Sequence, residues 1–298
     1  MSAIDNPKML ALATIFVSLL VMGIKLVAWQ ISGSIALYSD ALESTVNVIA
    51  SFSAWYAIRL GQRPADDTHP FGHHKAEYFS AVFEGVLIVI AALLIIREAS
   101  LSFYKPTMID TPFWGMVVNA GAAFINFAWA WLLIRVGTRN KSPALVADGR
   151  HLQSDVVTSV GVLGGLGLAI LTGYGVLDPI LAILVAIHIL WQGYKLIMSS
   201  LHPLMDHALS PEDQEAIRAA IVASSKGAIE FHDLKTREAG PVRFVELHLV
   251  VDRQMTVENS HQICDRIERA LHQLMPGIRV TIHVEPDHKV KPDNGVQL

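Results

Sequence analysis

The stretch Gly33-Ser-Ile-Ala-Leu-Tyr-Ser-Asp40-Ala-Leu-Glu43-Ser-Thr-Val-Asn47-Val-Ile-Ala-Ser51 decides the fold, because it places acids inside an apolar run of membrane-spanning character. Acidic side chains within a membrane span are costly and are functional candidates by default. Asp40, Glu43 and Asn47 are separated by steps of three and four residues, which keep side chains on one face of a helix. This face is a candidate cation site.

A second apolar stretch repeats the pattern, with Asp148, His151 and Asp155 again separated by three and four residues. Two such faces turned toward each other would supply four ligands, the number that a tetrahedral transition-metal site requires. The four ligands would be Glu43, Asn47, His151 and Asp155. The two carboxylates among them would offset the charge of one divalent ion. Asp40 and Asp148 lie one turn earlier and could form an outer ring or a relay.

The composition separates a membrane part from a soluble part. The 298 residues are 52% hydrophobic and 17% charged, with a mean hydropathy of +0.41, whereas soluble domains carry about 25% charged residues. Because the deficit of charge is confined to the first 200 or so residues, we expect a transport domain over 1–204, a cytoplasmic domain over 205–290 and a disordered tail over 291–298.

Charge and cysteine content exclude two other classes of protein. The net charge is −4 and no basic stripe is present, so the sequence gives no sign of nucleic-acid binding. Its single cysteine excludes a disulfide framework within one chain and a four-cysteine zinc site.

Six apolar segments have the length of about 20 residues that crosses a bilayer. They cover approximately residues 9–31, 34–60, 78–96, 113–136, 145–171 and 176–198. Arg59 lies at the end of the second segment and Arg63 and Lys75 follow it, and excess Lys and Arg marks the cytoplasmic side. We therefore expect both termini in the cytoplasm. Glu84, in the third segment, is either a relay carboxylate or the partner of a polar neighbour.

The soluble part has the pattern helix, strand, strand, helix, strand, which predicts a small α+β (αββαβ) domain. The predicted helices cover about 211–224 and 257–274, and the predicted strands about 227–237, 242–251 and 279–284.

Two further groups of side chains have metal-ligand chemistry. In the loop after the second span, Asp66, His69 and His73 either bind a metal or are incidental members of a basic loop. In the soluble part the candidates are His232, His248, His261, His283 and Glu285. Each of these is separately most typical of a surface position, and whether they converge depends on the fold.

Together these motifs resemble the cation diffusion facilitators, which are proton-coupled exporters of divalent transition metals, and especially the bacterial ferrous-iron/zinc efflux branch. The resemblance covers nearly the whole chain. Its elements are Gly33-Ser34, Asp66-xx-His69-xxx-His73-x-Lys75, Ala147-Asp148-xx-His151-xx-Ser154-Asp155, Gly240-Pro241 and Ile282-His283-x-Glu285-Pro286.

The resemblance implies a homodimer in the bacterial inner membrane with a metallochaperone-like cytoplasmic domain. It implies that zinc or ferrous iron is the substrate and also a regulator, that protons are exchanged for metal, and that no cofactor is needed. It assigns the three sets above to a transport site, a loop site and a cytoplasmic site. It also implies a charge interlock between Lys75 and Asp206 at the dimer interface, although an ordinary snorkelling lysine and a helix-end aspartate would look the same.

The sequence departs from the family at Glu43 and Asn47, where Asp or His and then Asp are usual. This departure leaves the metal open among zinc, ferrous iron, cobalt and cadmium, with manganese selectivity as an alternative, and it leaves open whether Asp40 replaces Asn47 in the site. A membrane-anchored metal sensor or scaffold would not need the paired acids. An intramembrane metalloprotease would need a His-Glu-x-x-His motif, which does not occur, so we expect no enzyme.

Overall fold

The structure is a computed structural model and describes residues 6–32, 35–102, 113–172, 177–291 and 295–298. The chain divides into two compact units, Met1–Leu201 and His202–Leu298. The division falls three residues before the boundary expected at residue 204, and the last helix of the first unit extends to Leu204.

In the residues that the structure describes, the first unit consists of six long helices. They are α1 (Pro7–Ser32), α2 (Ile35–Gly61), α3 (Ala76–Ser102), α4 (Phe113–Asn140), α5 (Pro143–Thr172) and α6 (Leu177–Leu204). With a rise of about 1.5 Å per residue, each is longer than the hydrocarbon core of about 30 Å. Among the described residues, α1, α3, α4 and α6 are long and apolar enough to cross a membrane. The other two, α2 and α5, are 27 and 30 residues long and carry the acidic faces.

A glycine brings α5 against α4 beside the acidic face. A Cβ atom on Gly149 would lie 2.7 Å from the Ile134 side chain and 3.1 Å from the Ala130 carbonyl oxygen, so a larger residue would push the helices apart. Buried Leu133 and Leu152 pack in the same core cluster. The turn of α5 that contains Asp148 and His151 is therefore held close to its neighbour.

The second unit is an α+β domain, as the sequence predicts. Its elements are α7 (Pro211–Ser224), β1 (Glu230–Ala239), β2 (Val242–Val251), α8 (Val257–Leu274), β3 (Ile278–Pro286), a 3₁₀ turn (Asp287–Lys289) and β4 (Val296–Gln297). The sheet order is β3-β2-β1-β4, with β2 and β3 parallel and the other pairs antiparallel. Alternate residues of β2, Val245, Leu247 and Leu249, are buried in one core with residues of α7 and α8.

The C-terminal tail departs from its expected disorder in the residues that the structure describes. Val296 and Gln297 form β4 and pair with Phe231 and Glu230 on β1. The physical reason is that β1 would otherwise be an edge strand with unpaired backbone groups. The Gln297 side chain also donates a 2.6 Å hydrogen bond to buried Glu230. A short polar tail thus gains partners that its composition does not reveal.

Candidate metal centre

Strand register brings three histidines of the second unit into one row. His232 on β1 pairs with His248 on β2, and His248 pairs with His283 on β3. The ring centroids are 5.3 Å and 4.9 Å apart for the two neighbouring pairs. Their side chains leave the sheet on the face opposite Val245, Leu247 and Leu249 of β2, because neighbouring residues alternate between faces.

Glu285 completes this cluster, since it lies two residues after His283 on the same face of β3. Its carboxylate oxygens lie 3.1 Å from His232 Nε2, 3.3 Å from His248 Nδ1 and 3.7 Å from His283 Nε2. Among the described residues, His232 Nε2, His248 Nδ1 and one Glu285 oxygen are buried without a hydrogen-bond partner. Buried polar atoms are normally satisfied. Because both histidine nitrogens lie within 3.3 Å of the Glu285 carboxylate, these unsatisfied atoms form a suitable site for a cation.

A buried carboxylate that the sequence reasoning missed orients His232. Glu230 is fully buried, and its carboxylate lies 3.0 Å from His232 Nδ1. A hydrogen bond at this nitrogen leaves Nε2 as the lone pair for a metal, the arrangement that carboxylates impose on histidine ligands. The available signal was its position two residues before His232 on a strand, which places both side chains on one face.

His261 is not part of this set of contacts. It is exposed on α8, and its Nε2 lies 3.6 Å from Asp265 one turn further along the helix. It does border a groove of about 530 Å³ that Glu285 also borders. The fold instead adds Asp233 to the cluster, because this residue offers a ligand atom within 4.8 Å of those of His232 and His248.

In the membrane unit the structure brings together part of the predicted transport set. Asn47 on α2 donates a short hydrogen bond from Nδ2 to Asp155 on α5. His151 lies one turn before Asp155 and interacts with it electrostatically. All three side chains are buried, at 3–4% exposure. Among the described residues, Asn47 Oδ1 and His151 Nδ1 have no hydrogen-bond partner. The two helix faces therefore meet, and they leave lone pairs for a cation.

The positions of Asp40 and Glu43 fall on α2, but their side chains lie outside the described part of the chain. Their predicted roles in the transport site and its outer ring remain predictions.

Asp148 and Glu84 are both fully buried, and a serine holds one carboxylate oxygen of each. Ser51 donates to Asp148 at 3.1 Å and lies 3.1 Å from Ser18 of α1. Ser80 donates to Glu84 at 3.4 Å. Among the described residues, the second oxygen of each carboxylate has no hydrogen-bond partner. The two carboxylates are near enough to repel each other, so this polar layer adjoins the transport set.

The loop candidates Asp66, His69 and His73 also lie together, with ligand atoms within 4.8 Å of one another. The Asp66 carboxylate is 3.5 Å from a ring nitrogen of each histidine. Hydrogen bonds from the Thr68 side chain and the His69 backbone lower the pKa of Asp66 to about 2. This carboxylate is therefore an ionised ligand at any physiological pH, on a loop shaped by its own hydrogen bonds.

The two partners of the expected charge interlock belong to different units, Lys75 to the first and Asp206 to the second. Within its own unit, Asp206 lies 3.4 Å from Arg237. The interlock stays a prediction.

The sequence reasoning also missed Lys25, which is 2% exposed within α1. Consecutive helices α1 and α2 meet where Ser18 and Ser51 are 3.1 Å apart. Lys25 lies seven residues after Ser18 on α1, and buried Ser44 lies seven residues before Ser51 on α2. The available signal was a lysine inside an apolar run, because an ionisable residue within a span is a functional candidate.

Comparison with known proteins shows the family of the chain. Residues 11–205 match the cation efflux transmembrane domain family, and residues 209–287 match the cytoplasmic domain of cation efflux proteins. The chain is 41% identical to an uncharacterised transporter of Synechocystis sp., over 93% of this chain and 89% of that protein. It is 33% identical to the cation-efflux pump FieF of Escherichia coli O127:H6, over 92% of this chain and 90% of that pump.

Two solved structures resemble the second unit in sequence. A zinc form of CzrB is 52% identical and covers 29% of this chain and 98% of that structure, with a TM-score of 0.28. The metal-bound C-terminal domain of the CzcD transporter from Thermotoga maritima is 25% identical and covers 28% of this chain and 100% of that domain, with a TM-score of 0.25. The family matches cover both units, and the chain therefore belongs to the cation efflux family, the cation diffusion facilitators.

Proposed function

We propose that this protein is a homodimeric exporter in the bacterial inner membrane that moves divalent transition-metal ions out of the cytoplasm in exchange for protons. The observation that carries the proposal is the contact between Asn47 of α2 and Asp155 of α5, with His151 one turn away. A membrane protein has no structural need for such a buried set of ligand atoms, which suits a transported cation.

The chemistry of these ligands favours zinc or ferrous iron, with cobalt and cadmium as further substrates. Imidazole is a ligand for transition metals, whereas manganese and magnesium favour sites built from oxygen alone. Glu43 would complete the set with a second carboxylate. Because an Asn amide oxygen is a weaker ligand than a carboxylate, we assign the selectivity for the metal to the pair Glu43 and Asn47. Asp148 and Asp40 would form an outer ring around this site.

Exchange with protons follows from the requirements of the ligands. A metal binds only when the imidazole is neutral and the carboxylates are ionised. Protons and metal therefore compete for His151 and Asp155 when the site opens to the outer face. Proton entry would release the metal and reset the carrier.

The cytoplasmic cluster of His232, His248, His283 and Glu285 would sense the metal level inside the cell. Both termini would then be cytoplasmic, in agreement with the excess of Lys and Arg in the loops on that side. Metal bound between the strands would stabilise one state of the dimer and so shift the population of transporting molecules. The loop site at Asp66 and the interlock of Lys75 with Asp206 would act in the same dimer.

Transport is tested in proteoliposomes with a pH gradient, in which zinc, ferrous iron, cobalt, cadmium and manganese fluxes are compared. We expect Asp155→Ala to abolish zinc flux and Glu258→Gln, an exposed acid at the start of α8, to leave it unchanged. Dissipating the pH gradient should slow the wild-type flux. Full zinc flux in Asp155→Ala would refute the assignment of the transport site.

A metal sensor or scaffold without transport is the competing class of function, because the cytoplasmic cluster alone would serve it. That reading predicts zinc binding by the full chain together with no zinc flux in the same vesicles. Manganese flux exceeding zinc flux would instead favour the manganese-selective alternative within the family.

A further inference from the structure

Asp233 occupies an irregular position on β1 that turns its side chain toward the histidine row. The register with β2 shifts between His232 and Lys235, and Asp233 has a left-handed backbone with φ 50°. A β-bulge of this kind re-aims a side chain, and Asp adopts the left-handed region more readily than most residues. As a result, an Asp233 oxygen lies 4.0 Å from His248 Nδ1, which has no hydrogen-bond partner among the described residues.

A lysine from the C-terminal segment holds that same oxygen. Lys291 Nζ lies 2.8 Å from Asp233 Oδ2, the atom that faces His248. The backbone N–H of Lys291 donates to Glu230 at 2.9 Å, which fixes the point from which the side chain extends. The hydrogen bond lowers the pKa of Asp233 and raises the pKa of Lys291, so both groups are ionised at neutral pH.

We infer that Asp233 is a ligand of the cytoplasmic metal site and that the Lys291 ammonium stays hydrogen-bonded to the Asp233 carboxylate until a divalent cation binds. This inference rests on the proposed cytoplasmic site. When the metal ion binds, the Asp233 carboxylate passes from the ammonium to the metal, and the Lys291 side chain moves into solvent. No covalent bond changes in this step, in which one cation replaces another.

The exposure of the ion pair sets the size of the effect. The Asp233 and Lys291 side chains are 40% and 46% exposed, and ion pairs exposed to water are weak. The cost of displacing Lys291 should therefore reduce the metal affinity by only about two- to fivefold. This factor corresponds to the free energy of a typical exposed ion pair. Lys291 would thus set the metal concentration at which the site fills, without preventing binding.

The test measures zinc affinity of the full-length protein in detergent by competition with a fluorescent zinc indicator. The background is Asp155→Ala with His73→Ala, which removes a ligand from each of the other two candidate sites. We expect Lys291→Gln to tighten zinc binding about two- to fivefold. Lys289→Gln is the matched control, because it removes the same charge from an exposed neighbour in the 3₁₀ turn and should change the affinity little.

A double-mutant cycle separates a direct contact from a general charge effect. Asp233→Asn keeps a residue that tolerates the left-handed backbone and should weaken zinc binding by about tenfold or more, the scale reported for altered metal surroundings. In that variant Lys291→Gln should have no further effect. A chemical readout is amine acetylation followed by mass spectrometry, in which zinc should increase labelling of Lys291 but not of Lys289.

Equal zinc affinity in Lys291→Gln and Lys289→Gln would overturn the inference, and so would a tightening by Lys291→Gln that persists beside Asp233→Asn. If the parent background bound no zinc, the proposed cytoplasmic site itself would fall. If it bound zinc with an affinity that Asp233→Asn did not change, only the role of Asp233 and Lys291 would fall.

Discussion

His232 Nε2 lies 3.1 Å from a carboxylate oxygen of Glu285, and neither atom has a hydrogen-bond partner among the described residues. A proton or a metal ion between them would satisfy both atoms. The Glu230 carboxylate lies 3.0 Å from the other ring nitrogen, Nδ1, and so acts on the opposite side of the same imidazole. Glu230 therefore orients the His232 ring through Nδ1, while Nε2 on the other side of the ring is available to a cation.

This arrangement predicts the effect of Glu230→Gln. The carboxylate accepts hydrogen bonds from the Lys291 backbone and the Gln297 side chain, and it lies beside His232 Nδ1. An amide would present a donor to one of these partners and would leave His232 less well oriented. We expect zinc affinity of the full chain to fall by about tenfold to a hundredfold, measured by competition with a zinc indicator.

The matched control for that variant is Glu246→Gln, which changes an exposed acid on β2. It should retain the wild-type affinity. Unchanged zinc affinity in Glu230→Gln, with the control also unchanged, would show that Glu230 does not position the ligand.

Lys25 provides a prediction for the membrane unit. It is 2% exposed within α1, the helix whose Ser18 contacts Ser51 of α2, so its charge is buried in the membrane unit. Removing one member of a buried charge arrangement leaves the remainder uncompensated, at a cost of about 3–5 kcal/mol. We expect Lys25→Gln to lose most zinc flux in proteoliposomes.

Lys8→Gln is the control here, since Lys8 is exposed at the start of α1. Size-exclusion chromatography of both variants distinguishes lost transport from lost folding. Wild-type flux in a well-folded Lys25→Gln would remove Lys25 from the transport machinery.

The bond from Ser51 to Asp148 predicts a loss of stability in Ser51→Ala. Asp148 is 1% exposed, and the substitution would remove the 3.1 Å donor to its carboxylate. Leaving a buried acceptor unsatisfied costs about 1–3 kcal/mol. We expect a lower unfolding temperature of the purified protein, whereas Ser100→Ala, which removes an exposed bond within its own helix, should have little effect. Equal unfolding temperatures for the two variants would contradict the prediction.

The hydrogen bonds of Asp66 in the loop after α2 predict how this carboxylate titrates. The Thr68 side chain is the first cause of the lowered pKa of Asp66, about 2 against 3.8. Because its pKa is lowered, the ionised Asp66 carboxylate stabilises the folded loop at pH values above the ordinary pKa of 3.8. That stabilisation is lost as the pH falls toward 2. Thr68→Val should therefore raise the pKa of Asp66 toward 3.8.

The measurement is the carboxyl ¹³C shift of labelled aspartate in the full chain, assigned by comparison with Asp66→Asn. The wild-type midpoint should lie below pH 3, given the pKa of about 2. An identical midpoint in Thr68→Val would exclude the hydroxyl as the cause. Any loss of metal from this loop between pH 7 and 5 must arise from groups other than Asp66.

The sequence by itself determined the helices, the order of the soluble elements and the two acidic faces, because these depend on local periodicity. Steps of three and four residues place His151 and Asp155 on one side of α5 in any fold. Alternation likewise places Val245, Leu247 and Leu249 of β2 on the face opposite His248. The family followed from the same motifs.

Tertiary structure alone decided which of these side chains meet. Strand register aligns His232, His248 and His283, and no local pattern specifies register between strands that are far apart in the chain. The same non-local contacts bury Glu230, turn Asp233 toward the histidine row at a bulge and pair the polar tail with β1. Ligand types can be read from a sequence, whereas the direction of their lone pairs depends on packing between distant segments.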